Sequence, residues 1–286
     1  MTVPGIVRAL EQAESYREAA VAASADLSLS LVDGLDAPVI AGLLEHRRSA
    51  GAPGAVLVIA PTGRRAESLG PALEAVLPGA QVLHFPAWET LPHERLSPSP
   101  ETVGRRLDVL RRVAAWDGSV PLVVTASVRS ALQPLAPGLG DVEPVHLRVG
   151  GRGRELDAVT TRLVELAYHR VDMVSRRGEF AVRGGILDVF PPVADQPYRV
   201  EFFGDEVDQI RAFSVADQRS LPGEVAEVSL VPSRELLLTS EVRERAAEAL
   251  SGASSVAVAG GGAGSVLTAT TAPSAPDSSS ALRALK

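Results

Sequence analysis

The 286-residue sequence predicts an α/β protein in which a parallel-sheet domain precedes a smaller α+β domain. Two observations carry that prediction. In the first half, short apolar runs such as Ala55–Ala60 (AVLVIA) and 121–126 (PLVVTA) alternate with helical patterns, as strands covered on both faces do. After the Pro134, Pro137, Gly138, Gly140 punctuation, the pattern becomes one amphipathic helix followed by a run of short strands.

The elements follow in order. Residues 4–24 repeat apolar positions at helical spacing without an internal breaker, which predicts one helix. The alternation LSLSLV at 27–32 predicts a strand, 36–48 a helix, and 55–60 a strand. A helix is expected over 62–76, a strand over 81–85, a helix over 100–115 and a strand over 121–126. In the second domain, 154–167 forms a helix with Leu156, Val159, Leu163 and Leu166 inward. Strands follow at 179–183, 185–190, 198–203 and 206–213. Gly204-Asp205 is placed as a two-residue hairpin turn, with glycine supplying the positive φ. The domains are therefore 1–135, 136–215, a further segment 216–250 ending in a helix, and a Ser/Ala/Gly/Thr/Pro-rich tail 251–286 whose composition predicts disorder.

Composition excludes several chemistries. There is no cysteine, so disulfides, thiolate metal sites and cysteine nucleophiles are absent. Of the 28 basic residues only Lys286 is a lysine, which removes Schiff bases and the phosphate lysine of a P-loop. A net charge of −7 argues against a nucleic-acid coat, though not against a local basic patch. No apolar run reaches the ~18 residues of a membrane span, and the N-terminus lacks a signal-peptide layout, so a cytoplasmic protein without membrane partners is expected.

The expected strand-to-helix turn at 32–39 is where a phosphate loop would sit. It carries Gly34 as its one glycine, two carboxylates including Asp36, and Pro38, which lacks an amide donor. It reads as an ordinary turn with Asp36 as helix N-cap. The five histidines (46, 84, 93, 146, 169) show no metal-ligand spacing, and Asp205, Glu206 and Asp208 read as a solvated hairpin rather than a magnesium cluster. No G-x-S-x-G elbow is present. Two features remain. One is the loop FPAWETLP (85–92), whose Trp88 fits a core cap better than an exposed contact. The other is the set Arg170, Arg176, Arg177 and Arg183 with Phe180 among them, residue types that anchor protein interfaces or hold nucleic-acid backbone.

YHRVDMVSRRGEFAVRGGILDVFPP (168–192) and YRVEFFGDEVDQIRAFSVADQRSL (198–221) closely resemble the excision-repair protein UvrB. FPAWETLPHERLSPSPETVGRRLDVL (85–110) resembles the UvrB-homology module at the N-terminus of the transcription-repair coupling factors, the Mfd family. The resemblance spans roughly 5–250. It implies a degenerate RecA-like first domain without a Walker motif, no cofactor, and an inserted domain that binds UvrA. Arg170 and Arg183 match arginines that UvrB uses for that contact, while Ala181 stands where UvrB has a third. The segment from 216 would begin a third subdomain. In the family, RNA polymerase and DNA are engaged by later domains, including an ATP-driven translocase, which this sequence does not contain, so the sequence reads as a fragment or truncated product without catalysis. Rival readings are a nucleotide-dependent damaged-DNA-binding factor akin to UvrB, or a non-functional remnant.

Overall fold

The computed structural model describes residues 4–22, 28–32, 34–91, 94, 96–136, 138–153, 155–237 and 242–248, and the chain divides into two compact units at Leu135/Ala136. The tail 251–286, Asp33, His93, Pro137 and Arg154 lie outside the described residues.

The first unit opens with two helices rather than one, α1 (Pro4–Gln12) and α2 (Glu14–Ala22). At Ala13 the main-chain N–H bonds Leu10 O at 2.9 Å, a tightened i−3 turn that interrupts the helix. The correction is local. The apolar spacing continues across the break, and α1 and α2 both reach α3 (Asp36–Ser49), burying Val7, Tyr16, Ala19 and Ala20.

Residues 28–32 are not a strand; Leu29, Leu31 and Val32 are exposed. The alternation is there, but no strand among the described residues pairs with them. Asp36 is also not the N-cap. Leu35 holds that position, and Asp36 is the first helical residue, paired with Arg65 of the next helix. Pro38 falls in the first turn, where its missing N–H would have had no helical partner in any case.

From there the prediction and the structure coincide. Strands β1 (Ala55–Ala60), β2 (Gln81–Phe85) and β3 (Leu122–Ser127) form a parallel sheet in the order β1-β3-β2. The crossover helices are α4 (Gly63–Val76) and α5 (Pro100–Ala114), and a short α6 (Val128–Leu132) follows β3. Each has a side-chain cap. Thr62 Oγ1 accepts from Arg65 N at 3.2 Å, Ser99 Oγ accepts from Thr102 N at 3.2 Å, and Ser127 and Ser130 form a reciprocal capping box. The sheet separates two apolar clusters. Leu44, Ala66 and Leu73 of α3 and α4 meet Val56, Val58 and Val123 on one side. Val109 of α5 meets Leu83, Phe85, Leu122 and Ala126 on the other.

The second unit contains β4 (Val145–Arg148), α7 (Leu156–Glu165), β5 (His169–Arg170), β6 (Glu179–Arg183), β7 (Ile186–Val189), β8 (Tyr198–Phe203), β9 (Glu206–Ala212) and β10 (Glu227–Leu230). The strands β5 to β9 form one sheet in sequence order, with β5 parallel to β6 and every other pair antiparallel. Two-residue turns join β6 to β7 at Gly184-Gly185 and β8 to β9 at Gly204-Asp205. Gly184 and Gly204 both have positive φ. A Cβ on Gly185 would lie 2.9 Å from the Phe202 carbonyl, so the close strand approach also requires glycine there.

One face of this sheet is covered by α7 and by the β4–β10 pair. Val159, Leu163 and Leu166 are buried with Phe180, Leu187, Val200, Ile210, Val228 and Leu230, and Leu156 packs at the margin. The position of β10 moves a boundary. Residues 216–250 read from the sequence as a further segment, yet 227–230 pair with β4, and Tyr168 Oη donates to Val231 O at 2.9 Å. The apolar side chains Val228 and Leu230 complete this core, so the unit extends past residue 215. Residues 234–237 are not helical, and 242–248 are.

A candidate protein-docking surface

The predicted site residues separate into three groups in the structure. Arg170 ends the edge strand β5, and Arg183 ends β6 beside it. Together with Val171, Asp172 and Val182 they line an open cleft of about 560 Å³. Arg183 Nη2 donates to the Asp172 main-chain carbonyl at 2.6 Å, which fixes the start of the loop that leaves β5. The Arg170 guanidinium is exposed and has no hydrogen-bond or ion-pair partner among the described residues.

Arg176 and Arg177 lie on the 171–177 loop. Arg176 is exposed, and its main-chain N–H donates to Glu179 Oε2 at 2.9 Å. Arg177 is half-buried and structural. Its Nε donates to Ala194 O at 3.1 Å, and its guanidinium lies 5.2 Å from the Phe190 ring centre.

Phe180 requires a correction. It sits between the arginines in sequence but is fully buried, in the cluster under α7. Side chains alternate across a strand, so a residue that pairs into the core cannot also face a partner. Ala181 is buried as well, on the opposite face with Val174, Phe190 and Phe213.

Beneath the loop lies a polar set that sequence reasoning missed. Asp188, almost fully buried on β7, takes two hydrogen bonds from Arg199 of β8, Nε–Oδ1 at 2.7 Å and Nη2–Oδ2 at 2.8 Å. The bond to Asp188 raises the Arg199 pKa above its ordinary value against the opposing effect of burial. Arg199 also stacks over Phe213, 5.1 Å to the ring centre, and its Nη1 reaches Gln218 O at 3.4 Å. Gln218 has φ of 59°, a left-handed conformation uncommon for any residue but glycine. Its Nε2 donates to Val174 O at 3.1 Å and Val215 O at 2.9 Å. The only sequence signal for this set was the spacing that places Asp188 and Arg199 opposite one another on β7 and β8.

The polar residues singled out in the first unit are engaged within it. Arg106 is fully buried, lies over Phe85 (4.2 Å) and Trp88 (5.0 Å), and donates to Pro86 O at 2.9 Å. Trp88 therefore lies against the buried Arg106, and its main-chain N–H donates to Gln133 Oε1 at 2.8 Å. A cleft of about 420 Å³ opens where the parallel strands end, lined by Thr62, His84, Trp88, Glu89, Ser127 and Arg129 among others. Its polar groups largely hold one another. Glu89 accepts from Ser99 and Thr102, and Arg129 donates to Glu89 O and Thr90 O. Burial works to raise the Glu89 pKa, but the Ser99 and Thr102 hydrogen bonds outweigh it and hold the carboxyl below its ordinary value. Burial lowers His84, whose Nδ1 lies 3.1 Å from Thr125 Oγ1. At the turn before α3, read from the sequence as an ordinary turn and not a phosphate loop, Gly34 has φ of 89° and Asp36 is engaged by Arg65. In the hairpin, Asp205 accepts from Gly153 N and Glu206 pairs with Arg152. The described residues contain no cluster of His, Asp and Glu fit for a metal ion, and no helix among them is long and apolar enough to cross a membrane.

The segment that carries the arginine cleft, residues 145–236, matches the family model for the UvrB interaction domain. The match begins at β4 and runs past β10, the same stretch that shares one core. This chain is similar to the transcription-repair-coupling factors. It is 56% identical over 200 residues to that of Mycobacterium tuberculosis, 37% over 178 residues to that of Bacillus subtilis, and 34% over 184 residues to that of Escherichia coli. These alignments cover 68%, 62% and 64% of this chain. They cover only 16%, 15% and 15% of the relatives, so the matched region is about one sixth of a transcription-repair-coupling factor.

Proposed function

We propose that this chain is a UvrB-like docking module that binds UvrA and thereby serves the coupling of transcription to excision repair. The observation that carries the reading is the cleft between Arg170 and Arg183, within the segment that matches the UvrB interaction domain. Two guanidiniums at a sheet edge, one of them without a partner among the described residues, suit a protein surface that presents carboxylates. Phe180 drops out of the contact set, and Arg177 acts through the fold rather than on the partner.

In this reading the first unit is a RecA-like sheet without a phosphate grip. The turn at 34–38 supports it: one glycine, Pro38 in place of an amide donor, and the Asp36 carboxylate at the start of α3. The chain then supplies recognition and no nucleotide chemistry. Contacts with RNA polymerase and DNA belong to other parts of the coupling factors.

The test is capture of purified UvrA by the full chain, beside an Arg170→Glu/Arg183→Glu double variant of unchanged thermal stability. Strong capture by the unsubstituted chain and loss in the variant are expected. Equal capture by the two, or none by either, overturns the assignment.

A further inference from the structure

The geometry points to the 171–177 loop as a second, preorganised half of the docking surface, with Met173 as its apolar anchor. This rests on the reading of the Arg170–Arg183 cleft as the partner's contact site and extends it. No motif drew attention to Met173, which lies between Asp172 and Val174 and is 55% exposed.

A single exposed apolar side chain is ordinary. The unusual feature is how firmly the chain around it is held. Val171 N donates to Phe180 O at 2.9 Å, and Arg183 holds the Asp172 carbonyl. Val174 is fully buried in the cluster with Ala181, Phe190 and Phe213, and its carbonyl takes the Gln218 Nε2 bond. One carboxylate oxygen, Glu179 Oε2, accepts from Ser175 N (2.9 Å), Ser175 Oγ (3.2 Å) and Arg176 N (2.9 Å). Arg177 is pinned to Ala194 O. Six of the seven loop residues are thus anchored by a main-chain or side-chain bond or by burial, and the seventh is Met173.

A loop ordered before binding loses little conformational entropy on binding, so its exposed side chain contributes more to affinity. In sequence Met173 lies three residues after Arg170 and three before Arg176, next to Asp172, which lines the Arg170–Arg183 cleft. Neither Arg170 nor Arg176 has a side-chain partner among the described residues. An apolar side chain ringed by polar groups that exclude water is the arrangement that concentrates binding energy at protein interfaces. Methionine also adapts its shape to the socket it enters. The complementary partner surface is an apolar socket bordered by carboxylates.

The experiment measures affinity of the full chain for purified UvrA, with Met173→Ala, Met173→Leu and Phe203→Ala variants. Phe203 is the control, because it is 83% exposed but lies at the β8–β9 hairpin. Met173→Ala is expected to weaken binding by about tenfold or more, chiefly through faster dissociation. Met173→Leu is expected to stay within about threefold, since it keeps the apolar volume. The salt dependence of binding should be unchanged by either and flattened by the Arg170→Glu/Arg183→Glu variant. Wild-type affinity for Met173→Ala while the arginine variant fails overturns this inference and leaves the docking reading standing. A loss in Phe203→Ala with none in Met173→Ala moves the anchor to the hairpin and overturns it too. Absence of UvrA binding by the unsubstituted chain overturns both.

Discussion

Phe180 and Arg183 lie three residues apart on β6 and belong to opposite sides of its function, because strand side chains alternate between faces. Phe180 fills the core under α7, so Phe180→Ala is expected to cost about 3–5 kcal/mol of stability, seen as a lower denaturation midpoint. Any loss of partner binding in that variant should follow unfolding and recover at lower temperature. Arg106 shows the same separation in the first unit. It is an arginine with no exposure, stacked between Phe85 and Trp88. Removing it in Arg106→Ala leaves the Pro86 carbonyl without that donor and opens a cavity beneath Trp88, so a loss of about 3 kcal/mol and a change in tryptophan emission are expected. The histidine and carboxylate of that unit carry a pH dependence with a definite sign. Burial depresses His84, so the folded state disfavours its protonation. Its contribution is complete above the unfolded value of 6.5 and declines as pH falls from there through the lower folded value. His84→Gln should flatten stability against pH in that window, measured by thermal unfolding from neutral to mildly acid buffer.

At the scale of elements, the β7–β8 pair is organised around a buried charge. Asp188→Ala would leave Arg199 in a largely enclosed site without its carboxylate, and breaking such a pair typically costs about 3–5 kcal/mol. Replacing both partners with apolar residues of similar volume should cost less than the single change, and denaturant unfolding of the single and double variants checks this. The same pair matters for the loop above it. Arg199 reaches the Gln218 carbonyl, and Gln218 in turn holds Val174 O. Gln218→Ala should therefore speed amide hydrogen exchange across 171–177 while β6–β9 stay protected.

At the scale of the molecule, each unit has apolar clusters of its own. The family match ends at residue 236, just past β10, and the second unit's core is completed by its own β4–β10 pair. A fragment of residues 136–237 is expected to unfold cooperatively and, under the proposed docking reading, to bind UvrA no more weakly than the full chain. A fragment ending at 215 should not, because it loses β10, whose Val228 and Leu230 fill the core, and the Val231 acceptor of Tyr168. Calorimetry of the two fragments distinguishes these outcomes.

The strand and helix periods were strong enough in the sequence to place β1–β3, α3–α5, α7 and β6–β9, because each is set by which residues can leave water together. The Gly204 turn was legible for an equally local reason, the conformation that glycine permits. The arginine cleft was half legible: Arg170 and Arg183 were named, but so was Phe180, since composition does not say which face of a strand is covered. Only the tertiary structure decided that. It also left residues 28–32, expected to lie in a strand, outside any sheet, and drew β10 back across the expected boundary to β4. A strand exists only where a neighbour takes its backbone hydrogen bonds, and a boundary only where no side chain is needed by the core before it. Those conditions depend on residues distant in sequence, and they also fix the loop that leaves Met173 facing outward.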